Sequence, residues 1–337
     1  MAYPLIPSDS PRILVICVAR FGDTLLITPT LAALKQHWPK AHLTVLAHPG
    51  RVEVLEHLSF IDKLASITKL RARWSGWALG KRYDLALVYG EEKALARFAR
   101  RVASHVIGFS GRDNAKYELA LTESVPRPGA PMIAAAERSL LLGPLGINSV
   151  SNLHLHYVVS AEEAEEAASF IRKSGWGSCR LVGLQLQSFP TKAYRDWPMA
   201  HFVELAKKLL DQYHDIQIVL LGGPESCAVA DEFQSAFENR VSNVAGRFTM
   251  RQNAALISNL ALYIGVDTGP THLAGALDIP MVAMYHCFHP GRFLAPQLHP
   301  ALTVVDHPAS QPSREASMAE IPVETVFAAA CAYLDRK

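Results

Sequence analysis

The sequence predicts an α/β protein made of two successive runs of βα units. Three observations carry this. Short apolar stretches recur at Arg12 to Val18 (RILVICV), Leu181 to Leu186 (LVGLQL) and Leu262 to Val266 (LYIGV), each too short for a helix and fit for a buried parallel strand. Each leads through a turn or loop into a helical pattern, so parallel sheets with right-handed crossovers are expected in both halves. At 337 residues the chain exceeds a usual single core, which favours two domains, although one α/β barrel is also possible at this length.

Composition narrows the class. With 50% hydrophobic and 19% charged residues the chain is ordinary for a globular enzyme and wrong for a disordered one. The net charge of +2 says little about partners, and no nucleic acid is expected. No apolar run approaches the ~18 residues of a membrane span. Met1 to Pro11 lacks the charged and apolar segments of a signal peptide, so cytoplasmic residence is expected. The cysteines (Cys17, Cys179, Cys227, Cys287, Cys331) are scattered without a Cys-x-x-Cys pair, which reads as reduced thiols rather than a disulfide framework or zinc site.

In the first half, the strand Arg12 to Val18 turns through Ala19-Arg20-Phe21-Gly22-Asp23 into an amphipathic helix, Thr24 to His37. A strand at Leu43 to Ala47, a helix at Val52 to Leu58 and strands at Lys63 to Ile67 and Asp84 to Tyr89 follow. Around and after these lie Lys69, Arg71, Arg73, Lys81, Arg82, Lys93, Arg97, Arg100, Arg101, Arg112 and Lys116, against only Asp84, Glu91, Glu92 and Asp113. Such charges are commonly solvated helix faces; the functional alternative is a cleft or rim for an anionic partner, walled by Lys69 to Lys81 and Arg97 to Lys116. Pro126, Pro128 and Pro131 interrupt regular structure, a helix runs to about Leu142, and Gly143 to Asn152 reads as the interdomain link.

The second half begins with a strand at Leu153 to Val159 and a capping-box helix start at Ser160 and Glu163. After Leu181 to Leu186 come the loop Gln187 to Trp197, a helix from Pro198 to Gln212 and a strand, Ile216 to Leu221, ending in Gly222-Gly223-Pro224. A helix (Cys227 to Phe237), a short strand (Val241 to Val244) and another helix (Met250 to Asn259) lead to Leu262. There LYIGVDTGPTHLAGALDIPMVAMYH reads as strand, tight turn, helix and strand. Asp267 or Thr268 can cap that helix, and Pro270 suits a first-turn position because its missing N–H is not needed there. The remaining N–H groups and the helix dipole suit a phosphate, although such turns also occur as plain helix starts. Past Pro290 the order weakens: Val304 to Arg314 is loop-like, and Val323 to Asp335 is a final helix.

Taken in order, ILVICVARFGDTLLITPTLAALKQHWP, VGLQLQSFPTKAYRDWP, Leu-Gly-Gly-Pro-Glu and LYIGVDTGPTHLAGAL make the chain resemble glycosyltransferase family 9, the ADP-heptose:lipopolysaccharide heptosyltransferases. The resemblance runs from Arg12 to about Tyr333. It implies a GT-B fold of two Rossmann-like domains facing across a cleft. An acceptor domain is expected at 1–150, a nucleotide-sugar domain at 151–320, and a closing helix at 321–337 packing back on the first domain.

Transfer from a nucleotide diphosphate sugar needs a base for the acceptor hydroxyl and positive charge for the departing diphosphate. Asp23, at a helix start directly after a strand, matches the family's proposed base; helix capping is the commoner role of such an aspartate. Donor-binding candidates are Ser188, Thr191, Lys192, Arg195, Asp267, Thr268, Gly269 and His272. The family places a lysine just before Trp-Pro, and here both Lys192 and Arg195 qualify. His272 can donate to phosphate or simply pack. Acceptor-binding candidates are Arg20, Gly22, Lys69 and Arg112. No Asp-x-Asp pair is present to hold a metal on a diphosphate, so neither metal nor other cofactor is expected.

Two departures stand out. Arg251 occupies the place where relatives carry a ribose-binding acid, and His286-Cys287-Phe288-His289-Pro290 replaces Gly-Pro-Thr-x-Pro. The expected activity is inverting, metal-independent transfer of a sugar, foremost heptose from ADP-heptose, to an anionic inner-core lipopolysaccharide acceptor, with peripheral contact at the inner membrane. A GT-B-like epimerase or hydrolase and a non-catalytic nucleotide-sugar-binding protein are the alternatives; Asp23 argues against the last.

Overall fold

A computed structural model of the protein describes residues 8–77, 80–111 and 115–336. The chain divides into two compact units between Tyr157 and Val158. The first unit holds strands β1 (Arg12–Cys17), β2 (His42–Ala47), β3 (Lys63–Ser66), β4 (Tyr83–Tyr89), β5 (Ala103–Phe109) and β6 (Glu123–Val125). They form one parallel sheet in the order β3-β2-β1-β4-β5-β6. The second unit holds β7 (Arg180–Gln185), β8 (Ile216–Leu221), β9 (Val241–Asn243), β10 (Leu262–Val266), β11 (Met281–Tyr285) and β12 (Leu302–Asp306), ordered β12-β11-β10-β7-β8-β9 and again parallel. Each sheet grows one way from its first strand and then jumps back to grow the other way. The jumps fall between β1 and β4 and between β7 and β10.

The central strands are apolar on both faces because helices cover both. Ile13 to Ile16, Leu85 to Val88 and Leu262 to Ile264 are all fully buried. Each such side chain contributes about 1.5–3 kcal/mol over leaving it in water. In β10, a Cβ on Gly265 would lie 2.7 Å from the Tyr263 hydroxyl oxygen and 2.8 Å from the Gln185 Cβ, so only glycine lets β10 and β7 pack as they do.

Several elements differ from expectation. The helix predicted over Thr24 to His37 is two helices, Phe21–Leu25 and Thr28–His37. Pro29 has no N–H to give and its ring crowds the Leu25 carbonyl, which instead accepts from the Thr28 hydroxyl at 2.7 Å. Val52 to Leu58 yields only the 3₁₀ turn Val52–Leu55, and Leu153 to Val159 forms no strand. β5 and β12 are strands that the sequence did not announce. β5 starts directly where the helix Lys93–Val102 ends, with no turn residue between them, and β12 is a half-exposed edge strand paired only to β11. The closing helix, Val323–Leu334, was expected on the first domain. Its buried Val323, Val326, Ala330 and Leu334 belong to the second unit's core, and the Trp197 indole donates to Ile321 O at 3.0 Å. No helix among the described residues is long and apolar enough to cross a membrane.

Candidate functional site

Open α/β sheets bind ligands beyond the carboxyl ends of their strands, at the point where strand order reverses. In the first unit the loop after β1 leads there and carries Arg20, Gly22 and Asp23. In the second, the loops after β7 and β10 lead there and carry Gln187 to Trp197 and Asp267 to His272. All the sequence candidates except Lys69 and Arg112 therefore lie on the segments that follow these strands, each within its own unit.

Asp23 is the third residue of the helix Phe21–Leu25, and Arg20 is that helix's N-cap residue. Arg138 Nη2 donates to Asp23 Oδ1 at 2.8 Å, and the carboxylate side chain stays 39% exposed. Arg138 is itself held, since its backbone carbonyl accepts from the Tyr89 hydroxyl at 3.0 Å. From there the charges alternate. Arg138 Nη1 lies 3.9 Å from Glu137, Glu137 pairs with Arg127 at 2.9 Å, and Arg127 pairs with Glu91 at 3.1 Å. Cys17, at the end of β1, has its thiol pushed up to about 12, first by burial, so it stays protonated and adds no charge to the group. Arg138 did not stand out in the sequence as Asp23 did, because an arginine within a helix 115 residues from its aspartate carries no motif.

Lys69 lies elsewhere in this unit, ion-paired to Glu92 in a pocket whose lining does not include Arg20, Gly22 or Asp23. Arg112 lies outside the described residues.

In the second unit the helix Gly269–Ala276 starts directly after β10, with Pro270 in its first turn. Thr268 is the N-cap residue in extended backbone, but its side chain makes no capping hydrogen bond. Asp267 does not cap either: its buried Oδ2 accepts from Arg195 Nη1, and Oδ1 lies 3.8 Å from His272 Nε2. Capping by either residue, expected from sequence, therefore does not occur. The start of this helix keeps its dipole and its Gly269 and Thr271 N–H groups without a capping side chain. Thr271 turns its hydroxyl inward, donating to Val266 O at 2.5 Å and accepting from Tyr263 at 3.0 Å, which fixes the helix on its strand.

The 3₁₀ turn Pro190–Arg195 brings both Lys192 and Arg195 to the Tyr194 ring. Lys192 Nζ and Arg195 Cζ lie 5.9 Å and 5.6 Å from its centroid. A third cation, Arg314, lies 4.9 Å from the same centroid, with the His286 ring at 5.1 Å and the His289 ring at 6.3 Å. Cation–aromatic attraction holds such groups together only in part against their mutual repulsion. His289 records that field: burial and then Arg195, Lys192, His286 and Arg314 lower its pKa to about 4, so it is neutral at pH 7. Ser188 serves the loop itself, its N–H donating to Asp196 at 2.6 Å and its hydroxyl to Lys192 O at 2.8 Å, while Thr191 is exposed.

The departures from the family pattern have structural explanations. His286 is fully buried, donates from Nε2 to Ala316 O at 2.9 Å and accepts the Phe288 N–H on Nδ1 at 3.1 Å. His307 repeats the device, donating to Ser317 O at 3.0 Å and accepting from Ala309 N–H at 3.0 Å. Cys287 Sγ adds a contact to Ser313 O at 3.4 Å. These three side chains pin segment 313–317 and so place Arg314 over Tyr194. Burial and the neighbouring charges outweigh the Ala316 hydrogen bond and lower the His286 pKa. Arg251 is buried and bonds both oxygens of Glu163, at 2.7 and 2.6 Å, and Val158 O at 2.8 Å. It holds Glu163 at a pKa of about 2 and ties two helix starts together. Among the described residues no group of three or more His, Cys, Asp or Glu converges in a form that could hold a metal ion.

Comparison with known proteins agrees with this architecture. Residues 76–321 match Glycosyltransferase family 9 (heptosyltransferase). The chain is 25% identical over 284 residues to Lipopolysaccharide heptosyltransferase 3 of Escherichia coli, covering 78% of this chain and 80% of that protein. It is 24% identical over 293 residues to Lipooligosaccharide heptosyltransferase 2 of Haemophilus ducreyi, covering 81% and 83%. In structure it is similar to a family 9 glycosyltransferase of Veillonella parvula (TM-score 0.85, 22% identity, 100% and 99% of the two chains). It is also similar to ADP-heptose lps heptosyltransferase II of E. coli (TM-score 0.80, 22% identity, 96% and 99%). The two parallel six-stranded sheets are those of the GT-B fold.

Proposed function

The chain belongs to glycosyltransferase family 9, the heptosyltransferases, and from that premise we propose that it moves heptose from ADP-heptose to an anionic inner-core lipopolysaccharide acceptor, inverting the sugar and using no metal. The observation that carries the donor half is the cluster of Lys192, Arg195 and Arg314 on Tyr194, beside an uncapped helix start. Of the three cations Arg195 is ion-paired to Asp267, and a departing diphosphate supplies negative charge for Lys192 and Arg314. Lys192, Arg314 and the first N–H groups of the helix Gly269–Ala276 take the phosphate oxygens as the glycosidic bond lengthens, doing the work a metal does elsewhere. Asp267 acts at one remove, since a carboxylate repels phosphate: it holds Arg195 and His272 in place.

Asp23 is the proposed base. It takes the proton of the acceptor hydroxyl as that oxygen attacks the anomeric carbon from the face opposite the leaving ADP, which inverts the sugar. Arg138 fixes one carboxylate oxygen, so the aspartate works by position rather than by basicity. Contact of the protein with the inner-membrane surface, where such an acceptor is anchored, belongs to the same proposal.

The experiment is a transfer assay with ADP-heptose and a heptose-deficient core acceptor. The proposal expects product with inverted anomeric configuration, activity retained in excess chelator, and ADP-heptose left intact when acceptor is omitted. Rapid donor hydrolysis or epimerisation without acceptor would replace the transferase reading.

A further inference from the structure

Outside these two centres, the first unit carries a third concentration of charge. The helices Lys69–Trp74 and Lys93–Val102 pack together, and with Lys116, Leu119 and Ala120 they line an open pocket of about 840 Å³. Among the described residues its lining contains seven cations and one carboxylate, Glu92, which is already bound to Lys69. Arg101 donates to Ser75 O at 2.9 Å and Arg100 to Ser104 O at 3.1 Å, so these two help to build the pocket. Arg73, Lys93, Arg97 and Lys116 remain as a group of like charges. Their repulsion is legible at Lys93, whose pKa is lowered by desolvation and then by Arg97, Lys116 and Arg73.

Apolar side chains crowd the same face. Leu119 (83% exposed), Trp74 (78%), Trp77 (73%) and Leu70 (67%) are four of the five most exposed large hydrophobic residues among those described. Exposed tryptophan beside lysine and arginine is the composition of a membrane interface: the rings sit at headgroup depth while the cations meet phosphate. Stacking on nucleobases would use the tryptophans but gives no role to Leu70 and Leu119, whereas an acyl-chain boundary accommodates all four.

We propose that this face docks the protein on an anionic phospholipid bilayer, with Arg73, Lys93, Arg97 and Lys116 against the headgroups and Leu70, Trp74, Trp77 and Leu119 in the interfacial layer. The inference rests on the proposed transferase reading for the membrane contact itself and adds which face makes it, an assignment carried by the composition of this surface. Each cation near an anionic leaflet gives roughly a fivefold gain in binding, and salt weakens it.

The test is co-sedimentation of the full chain with phosphatidylcholine vesicles, with and without phosphatidylglycerol, at rising salt. Tryptophan emission is followed in parallel, and ADP is titrated into the same preparations. Wild type is expected to bind only the phosphatidylglycerol vesicles, with a blue-shifted emission that salt reverses. Arg73→Glu with Arg97→Glu should weaken vesicle binding on the order of thirtyfold or more. Trp74→Ser with Leu119→Ser should remove most of the blue shift. All forms should bind ADP alike, which reports that they are folded and tests the donor reading separately. Equal binding to both vesicle types, wild-type vesicle affinity in the charge-reversed variant, or tighter binding to single-stranded DNA than to vesicles would overturn the proposal. Should a variant fail to fold, the vesicle comparison and salt series on wild type still decide it.

Discussion

The charged centres of the two units are built on opposite plans. Around Asp23 each charge meets its opposite: Asp23 to Arg138, then Glu137, Arg127 and Glu91, so the chain is nearly neutral and its effect is to aim one half-exposed carboxylate. Around Tyr194 three cations, Lys192, Arg195 and Arg314, share one ring, and the ion pair seen there is that of Arg195 with Asp267. Neutralised charge suits a group that must be positioned, and uncompensated charge suits a site that must receive an anion. On the proposed function the contrast separates chemistry from binding, and substitutions at the two centres should therefore fail in different ways.

The largest effect is expected at Asp23. Asp23→Asn should lower the transfer rate by about a hundredfold to ten-thousandfold, the range of a lost general base, with ADP affinity unchanged. Single-turnover kinetics check this, and near-normal turnover would remove Asp23 as the base.

Arg195→Ala should act mainly on stability. It leaves Asp267, 4% exposed, as a buried charge without its main partner, at a cost of about 3–5 kcal/mol. Thermal unfolding should show a loss that Asp267→Asn in the same chain largely restores; equal losses in the single and double variants would contradict the pairing.

Arg314→Ala should spare stability and weaken ADP about tenfold to a hundredfold, as for a lost charge-assisted hydrogen bond. Arg138→Ala should lower kcat about tenfold with little change in ADP affinity, and Arg138→Lys should recover part of it, as expected of a positioning residue.

A further effect concerns pH. The His289 pKa falls from 6.5 to about 4 on folding, so the unfolded chain binds a proton there that the folded chain does not. Its contribution to stability is complete above about pH 6.5, declines as pH falls towards about 4, and is level below that. Denaturant midpoints measured across this window should fall on acidification, and His289→Gln should flatten the slope. An unchanged slope would separate His289 from the cationic cluster.

Most of the fold could be read from short apolar runs, because strands covered by helices on both faces must be apolar throughout. β12 escaped because an edge strand needs no such run, and β5 because nothing marks the junction from helix to strand at Val102 and Ala103. The turns that carry Lys192, Arg195, Asp267 and Thr268, the residues proposed to meet the donor, were also legible. Arg314 was not. It reaches Tyr194 only because His286, Cys287 and His307, from other parts of the chain, bind the carbonyls of its loop. In the sequence, His286 to Pro290 stood out only as a departure from the family's Gly-Pro-Thr-x-Pro. Arg251 likewise looked like a lost ribose contact and is a helix tie to Glu163.

The most direct test of the division between the two centres is calorimetric titration of ADP into wild type, Asp23→Asn and the double variant Lys192→Ala with Arg314→Ala. The expected result is wild-type affinity in Asp23→Asn and a loss of about a hundredfold or more in the double variant. Wild-type affinity in the double variant, or an equal loss in both, would contradict it.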